Sequence, residues 1–231
     1  MRPAGYSRFL FPVTLALVLV AVSAQSQDED APIKKQYKIF GGISAPVGDF
    51  AASTAAEAGV AQTGLALGTE FSSEVARHFM LGIGVMFDLN SMDAAEIEKV
   101  VQTAPGFSNA HVDAGTWDLF WFMGGAGFNA PLTSVTDVYG GGSLGLLVGI
   151  SPDLTLRNGS SEGHSNPATA KSIAYGLGLG IVVDTRYDIG LRYLYGEPEY
   201  NVTSTSGGMS STSKAKQPTS VIQFTLGLVF R

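Results

Sequence analysis

From residue 37 to its end the chain repeats one pattern, apolar residues alternating with small or polar ones at a period of two. In "GLGLGIVVDTRYDIGLRYLYG" (176–196) and the residues just before it, Ile173, Tyr175, Leu177, Leu179, Ile181 and Val183 share one side of a strand. Ala174, Gly176, Gly178, Gly180 and Val182 share the other, because successive side chains point to opposite faces. Asp184-Thr185-Arg186 then breaks the run as a tight turn. Beyond it Tyr187, Ile189, Leu191, Tyr193 and Tyr195 resume the apolar face, opposite Asp188, Gly190, Arg192 and Gly196. A membrane helix would need about twenty unbroken apolar residues and would not place glycine at every second position. The stretch predicts a hairpin.

Six more segments carry the same period. Tyr37, Ile39, Ile43 and Val47 oppose Lys38, Gly42 and Ser44; Leu65, Leu67 and Phe71 oppose Gly64, Ala66, Gly68 and Glu70. Phe79, Leu81, Ile83, Val85, Phe87 and Leu89 oppose His78, Met80, Gly82, Gly84, Met86 and Asp88, a strict strand signal. In "TWDLFWFMGGAGF" both faces are apolar. Trp117, Leu119, Trp121 and Met123 are assigned outward there, because Asp118 lies on the opposite face. Val138, Leu144, Leu146, Val148 and Ile150 are outward against Tyr139, Gly141, Ser143, Gly145 and Gly149. In the last segment Ile222, Phe224, Leu226, Leu228 and Phe230 are outward against Val221, Gln223, Thr225, Gly227 and Val229. With the hairpin's two strands, the count is eight.

The connections alternate too. Three are short (roughly 73–77, 130–136 and 184–186) and four are long and polar (roughly 48–62, 91–114, 152–170 and 198–218), the last two with the Ser, Thr, Gly, Asn and Lys content of mobile loops. Within 91–114, Asp93 followed by Glu96 predicts a helix N-cap, with Ile97, Val100 and Val101 as an apolar stripe. Short turns on one rim and long loops on the other, around an even number of strands, predict an all-β fold: an eight-stranded antiparallel up-and-down transmembrane β-barrel with short periplasmic turns and long extracellular loops. A soluble barrel of lipocalin type would bury the apolar face and coat the other with Lys, Glu and Thr. Here the less apolar face is mostly Gly, Ala and Ser, which suits the crowded inside of a narrow barrel.

The first residues point to export. Arg2 and Arg8 precede an apolar run from Phe9 to Val22, and Val22-Ser23-Ala24 offers the small residues of a cleavage site, so residues 1–24 read as a signal peptide. The run is short for an uncleaved helical anchor and is followed by polar "QSQDED". Residues 25–36 read as a periplasmic N-terminal linker and 37–231 as the barrel domain. Loss of residues 1–24 removes two arginines and no acid, so the net charge of -6 becomes -8, which disfavours nucleic acid as a partner. With no cysteine, neither disulfides nor a lipid-modified N-terminal Cys can form. Charged residues are only 15% of the chain, against about 25% in soluble domains, as expected where the outside is not water.

On these patterns, and on a final strand ending in Phe230, residues 37–231 resemble the small eight-stranded outer-membrane β-barrel family that includes the OmpA transmembrane domain and OmpX. The resemblance implies a bacterial outer membrane of a Gram-negative-type envelope, with outer-membrane lipids and the barrel-assembly machinery as partners. It implies that Phe224, Leu226, Leu228 and Phe230 form the assembly signal, although Arg231 departs from the aromatic terminus. No peptidoglycan-binding domain follows the barrel, so a cell-wall anchor is not implied.

Site chemistry is sparse. "GGGSLG" (140–145) spells a dinucleotide fingerprint, but no helix or βαβ unit surrounds it. His78, His111 and His164 lack metal-ligand spacing. Some barrels of this size modify lipid A with a His, a Ser and an acid, and Glu162, His164 and Ser165 are the one nearby trio, in a segment read as a loop. No catalytic, cofactor or metal residue is therefore assigned. Lys38, Glu70, Asp88, Asp118, Asp188 and Arg192 all point inward on this assignment, where lone charges are costly and pairs tolerable, and they form the expected lumen network. Asp188 is the local partner expected for Arg192, with Glu70 and Asp118 as distant ones. The expected function is a structural or surface-interaction role through the extracellular loops, with a possible extracellular ligand. A porin-like narrow channel for small solutes and a lipid A-modifying enzyme are the alternatives.

Overall fold

The computed structural model describes residues 34–53, 58–159 and 161–231. The signal-peptide assignment (1–24) and the linker before Lys34 lie outside these residues. In chain order the strands are β1 (Lys35–Pro46), β2 (Gly64–Ala76), β3 (Phe79–Ser91), β4 (His111–Ala114), β5 (Thr116–Pro131), β6 (Thr136–Ile150), β7 (Leu154–Asn158), β8 (Ser161–Ser165), β9 (Thr169–Val183), β10 (Tyr187–Gly196), β11 (Glu199–Ser206), β12 (Met209–Lys216) and β13 (Thr219–Phe230). One helix, α1 (Ala94–Gln102), follows β3, and a 3-10 turn (Gly48–Phe50) follows β1.

Eight strands close into a barrel in the order β1-β13-β10-β9-β6-β5-β3-β2, every pair antiparallel. The seam joins the first strand to the last, from Tyr37 opposite Phe230 to Pro46 opposite Val221, so the barrel has no free edge. At one end the strands turn tightly. Asp184 and Thr185 both take left-handed backbone (φ 52° and 57°), and the Arg186 N–H closes on the Val183 carbonyl at 3.1 Å, the twist that suits a hairpin.

The period-two faces sort as lipid and lumen demand. Ile83, Leu177, Ile173 and Leu226 are 67, 66, 75 and 68% exposed in the isolated chain, which is apolar surface suited only to hydrocarbon. Tyr37 and Phe230 touch at one end of this belt (6.3 Å between rings), and Tyr175 and Tyr195 at the other (4.9 Å). Inside, the glycines make room for large neighbours. A Cβ at Gly68 would lie 2.5 Å from the Phe40 ring, one at Gly180 would lie 2.4 Å from the Tyr139 hydroxyl, and one at Gly149 would lie 2.1 Å from the Tyr200 hydroxyl.

Two expectations need correction. In β5 the faces are reversed: Trp117, Leu119, Trp121 and Met123 are buried in the lumen and Phe122 is exposed. Asp118 accordingly lies outward, in register with Leu89 and Ile150, where it accepts a hydrogen bond from Thr116 Oγ1 at 3.0 Å. It sits near the strand end, at the water-facing rim, so its charge does not require the lumen. The segments 152–170 and 198–218, read as loops, hold β7, β8, β11 and β12, which with β4 form a second, five-stranded sheet in the order β12-β11-β8-β7-β4. Hydroxyls on facing positions, such as Thr203 with Thr212 at 3.0 Å, let these polar segments pair as strands. The helix stands where Asp93 caps it, its carboxylate accepting the Glu96 N–H at 3.1 Å.

Ile83→Arg, on the lipid side near a strand centre, is expected to cost about 2–4 kcal/mol. Gly178→Ala faces the lumen, where the new methyl meets Arg192 Cγ at 3.5 Å and the Leu191 carbonyl oxygen at 3.9 Å, both ordinary contacts, and should leave the unfolding midpoint nearly unchanged. Urea titration of the barrel refolded in lipid vesicles checks both; equal costs would mean the two faces are interchanged.

Candidate functional site

The lumen has two different halves. Toward the short turns lies a charged cavity of about 130 Å³, bordered by Lys38, Glu70, Tyr139 and Arg192 and by the bare main chain of Gly125, Gly127 and Gly141. Lys38 Nζ donates to Asp188 Oδ1 at 3.0 Å and lies 3.5 Å from the centre of the Tyr139 ring. Arg192 donates to Thr225 Oγ1 (2.8 Å) and to Glu70 Oε2 (3.2 Å), its guanidinium 4.0 Å from the Phe40 ring centre. Asp188 thus pairs with Lys38, and Arg192 with the distant candidate Glu70. The local pairing loses because residues four apart on a strand are separated by roughly 13 Å, whereas strands around a small barrel meet across the lumen.

Higher up, Asp88 is fully buried and accepts from Trp121 Nε1 (2.8 Å) and Gln223 Nε2 (2.9 and 3.0 Å to its two oxygens). Asn90 is buried beside it, donating to the Ser44 carbonyl and accepting from the Ser44 hydroxyl, each at 3.2 Å. Five of the six expected network residues therefore lie inside, in three separate groups, and Asp118 does not join them. Sequence reading left out Asn90 and the amide of Gln223, although Gln223 stands out as an amide among the inward positions of β13.

Above Asp88 the lumen is filled mainly by apolar side chains, with Asn90 among them. Leu119, Leu147, Leu194, Val221 and Trp121 are buried, and Phe50 of the 3-10 turn drops in from above at 0% exposure. Its ring meets Trp117 edge-on at 5.5 Å, and Trp117 meets Tyr200 at 5.7 Å. Phe50 carried no periodic signal, since it sits in a connection rather than a strand.

The five-stranded sheet stands beyond this plug. One of its faces carries Tyr200, Val202, Leu156 and Val112; the other carries Lys214, Glu199, Thr212, Thr203, His164, Arg157 and Asp113, by the alternation of paired positions. Lys214 pairs with Glu199 (2.6 Å) and Arg157 with Asp113 (2.8 Å). Glu98 of α1 ties the helix to β4, accepting from the Val112 N–H at 3.1 Å and meeting His111 Nδ1 at 2.8 Å. These bonds, led by the Val112 N–H, hold the Glu98 carboxyl below its ordinary pKa. Glu162 and His164 share a face of β8, but Ser165, next in the strand, points to the opposite face, and His164 Nδ1 meets Thr155 Oγ1 at 3.0 Å. Phe224, Leu226, Leu228 and Phe230 are all exposed on the outer face of β13, and Arg231 pairs with Asp137 at 2.6 Å. Among the described residues, no cluster of His, Asp and Glu is arranged to hold a metal.

A depressed carboxyl adds stability above its unfolded pKa and loses it as pH falls through the lower folded value. Acidification below the ordinary carboxylate range should therefore release α1 from β4. Amide exchange at Val112 should rise on acidification, relative to the barrel strands, and a Glu98→Gln variant should show the faster exchange already at neutral pH.

In the lumen, Lys38→Met leaves Asp188 buried without its cation and should destabilise the barrel by about 3–5 kcal/mol, while the Lys38→Met/Asp188→Leu double variant recovers most of the loss. Urea midpoints of the three proteins check this; a double variant no better than the single would show that the charges are not coupled.

The model of the outer membrane protein beta-barrel domain matches residues 14–231. No curated protein matches the chain by sequence. Among solved structures, a major outer membrane protein of Thermus thermophilus aligns over 85% of this chain and 99% of its own with 9% identity and a TM-score of 0.51. Neisserial surface protein A aligns over 86% and 98% with 12% identity and a TM-score of 0.46. Ail, the attachment invasion locus protein of Yersinia pestis, aligns over 85% and 99% with 13% identity and a TM-score of 0.45. At such identities what the Thermus protein shares with this chain is its fold.

Proposed function

Since the chain belongs to the outer membrane protein beta-barrel domain family and resides in the bacterial outer membrane, we propose that it is a plugged, non-catalytic barrel that acts at the cell surface through its five-stranded sheet. The observation that carries this reading is the block of buried apolar side chains, Phe50, Leu119, Trp121, Leu147, Leu194 and Val221, packed together across the lumen. The sheet end, with the long connections, faces outward and the short turns face the periplasm, the usual asymmetry of such barrels. Its polar outer face then meets the medium, while the lipid-facing residues of β13, including Phe224 and Phe230, serve recognition by the barrel-assembly machinery.

One observation favours a small-solute role instead. The cavity is bordered by Tyr139 and Asn129, whose hydroxyl and Oδ1 are buried with no hydrogen-bond partner among the described residues. A small polar solute entering from the periplasm would satisfy them. An enzymatic role lacks such support, because Ser165 and His164 point to opposite faces of β8.

In planar bilayers the purified barrel should be electrically silent. Phe50→Ala with Trp121→Ala removes two rings of the plug and should open small ion-conducting events. Steady conductance by the unaltered protein would overturn the plugged reading in favour of a channel. Protease added to intact cells should cut between residues 201 and 216; cutting only after the outer membrane is breached would reverse the orientation.

A further inference from the structure

The five-stranded sheet has two unlike edges. The β4 edge is four residues long and is covered by α1, through Glu98 on the Val112 N–H and Gln102 on the Ala110 carbonyl at 2.9 Å. The β12 edge is eight residues long, and all of them are exposed. β12 pairs with β11, and among the described residues no backbone hydrogen bond reaches Met209–Ser213 from the other side. Proteins usually blunt such edges with proline, a bulge or a charge. β12 carries its two charges, Lys214 and Lys216, at one end, and the stretch Met209-Ser210-Ser211-Thr212-Ser213 has none of the three.

We propose that β12 pairs edge to edge, antiparallel, with β12 of a second copy of this chain held in an opposing membrane. This rests on the surface-interaction reading above and names its partner. The strand that β12 already accepts shows what fits it. On β11, Thr203 and Thr205 share hydroxyl hydrogen bonds with Thr212 and Ser210, both at 3.0 Å. A second Ser/Thr strand repeats that ladder on the open side, and β12 itself is such a strand. Apart from Met209, the open stretch offers no apolar side chain to anchor a partner of different chemistry.

Direction selects the opposing membrane. Two copies in one membrane are related by an axis along the membrane normal, so their β12 strands run the same way, and side-by-side pairing would be parallel, the weaker ladder. Copies that face each other from two membranes meet antiparallel. The lysine end of each strand then lies along the Met209-Ser210 end of the other, with Thr212 near the midpoint. Hairpins overlapping by about six residues would hold the two barrel rims roughly 30 Å apart.

The chain has no cysteine, so Thr212→Cys introduces a single thiol. Two vesicle populations carry this variant under different affinity tags, with the sheet outward, and are mixed and oxidised. Disulfide dimers bearing both tags are expected, with clustering of the vesicles. Met209→Cys, which antiparallel pairing sets against the lysine end, should yield none. Dimers bearing one tag only, equal yields at the two positions, or no dimer from barrels that still migrate as folded on an unboiled gel would overturn the proposal. A barrel that is silent in bilayers but forms no mixed dimer sinks the pairing alone; one that conducts steadily sinks the reading beneath it.

Discussion

Hydrocarbon offers no hydrogen bonds, so every main-chain N–H and C=O that enters it must find a partner within the protein. The seam between β1 and β13, ten residue pairs from Tyr37–Phe230 to Pro46–Val221, is where this chain meets that demand. Once the seam is made, the number of staves fixes a lumen too narrow for an aqueous channel unless side chains are trimmed. The glycine content, the inward charges and the apolar plug are three responses to that single geometric fact.

The buried bonds of the lumen also serve the seam. Lys38 on β1 reaches past β13 to Asp188 on β10, and Arg192 on β10 reaches past two strands to Glu70 on β2. Gln223 on β13 reaches Asp88 on β3. Each bond joins a strand from the start of the chain to one from its end, so none can form until the sheet has curled shut. The cost of burying these charges is met only in the closed state, which ties closure to a particular register rather than to any pairing of two apolar strands.

The wall was legible in the sequence because its two solvents differ so sharply. Alternation at β3, β6, β9, β10 and β13 assigns faces correctly from residue type alone, and the short Asp184-Thr185-Arg186 turn is visible as a break in the pattern. Legibility failed at β5, where the lumen is itself apolar: once both sides of a strand are greasy, Asp118 is the lone guide, and it lies at the rim, where polarity says nothing about side. It failed again at β11 and β12, whose Ser and Thr content matches loops as well as strands. Which carboxylate takes which cation depended on the stagger between distant strands, and a one-dimensional pattern does not carry that. Phe50, in a connection, could be placed only by seeing the hole it fills.

The fit between inward rings and bare glycines links residues far apart in the chain. Tyr139 occupies the space that a side chain at Gly180 or Gly190 would need, and Phe40 the space over Gly68. Neither member of such a couple can change size alone: a larger residue at the glycine evicts the ring, and a smaller ring leaves a void. Over evolutionary time these positions should drift as matched couples, one shrinking as the other grows, while the lipid-facing leucines and isoleucines exchange freely among themselves. The inside of this barrel would then keep a record of its ancestry that its outside erases.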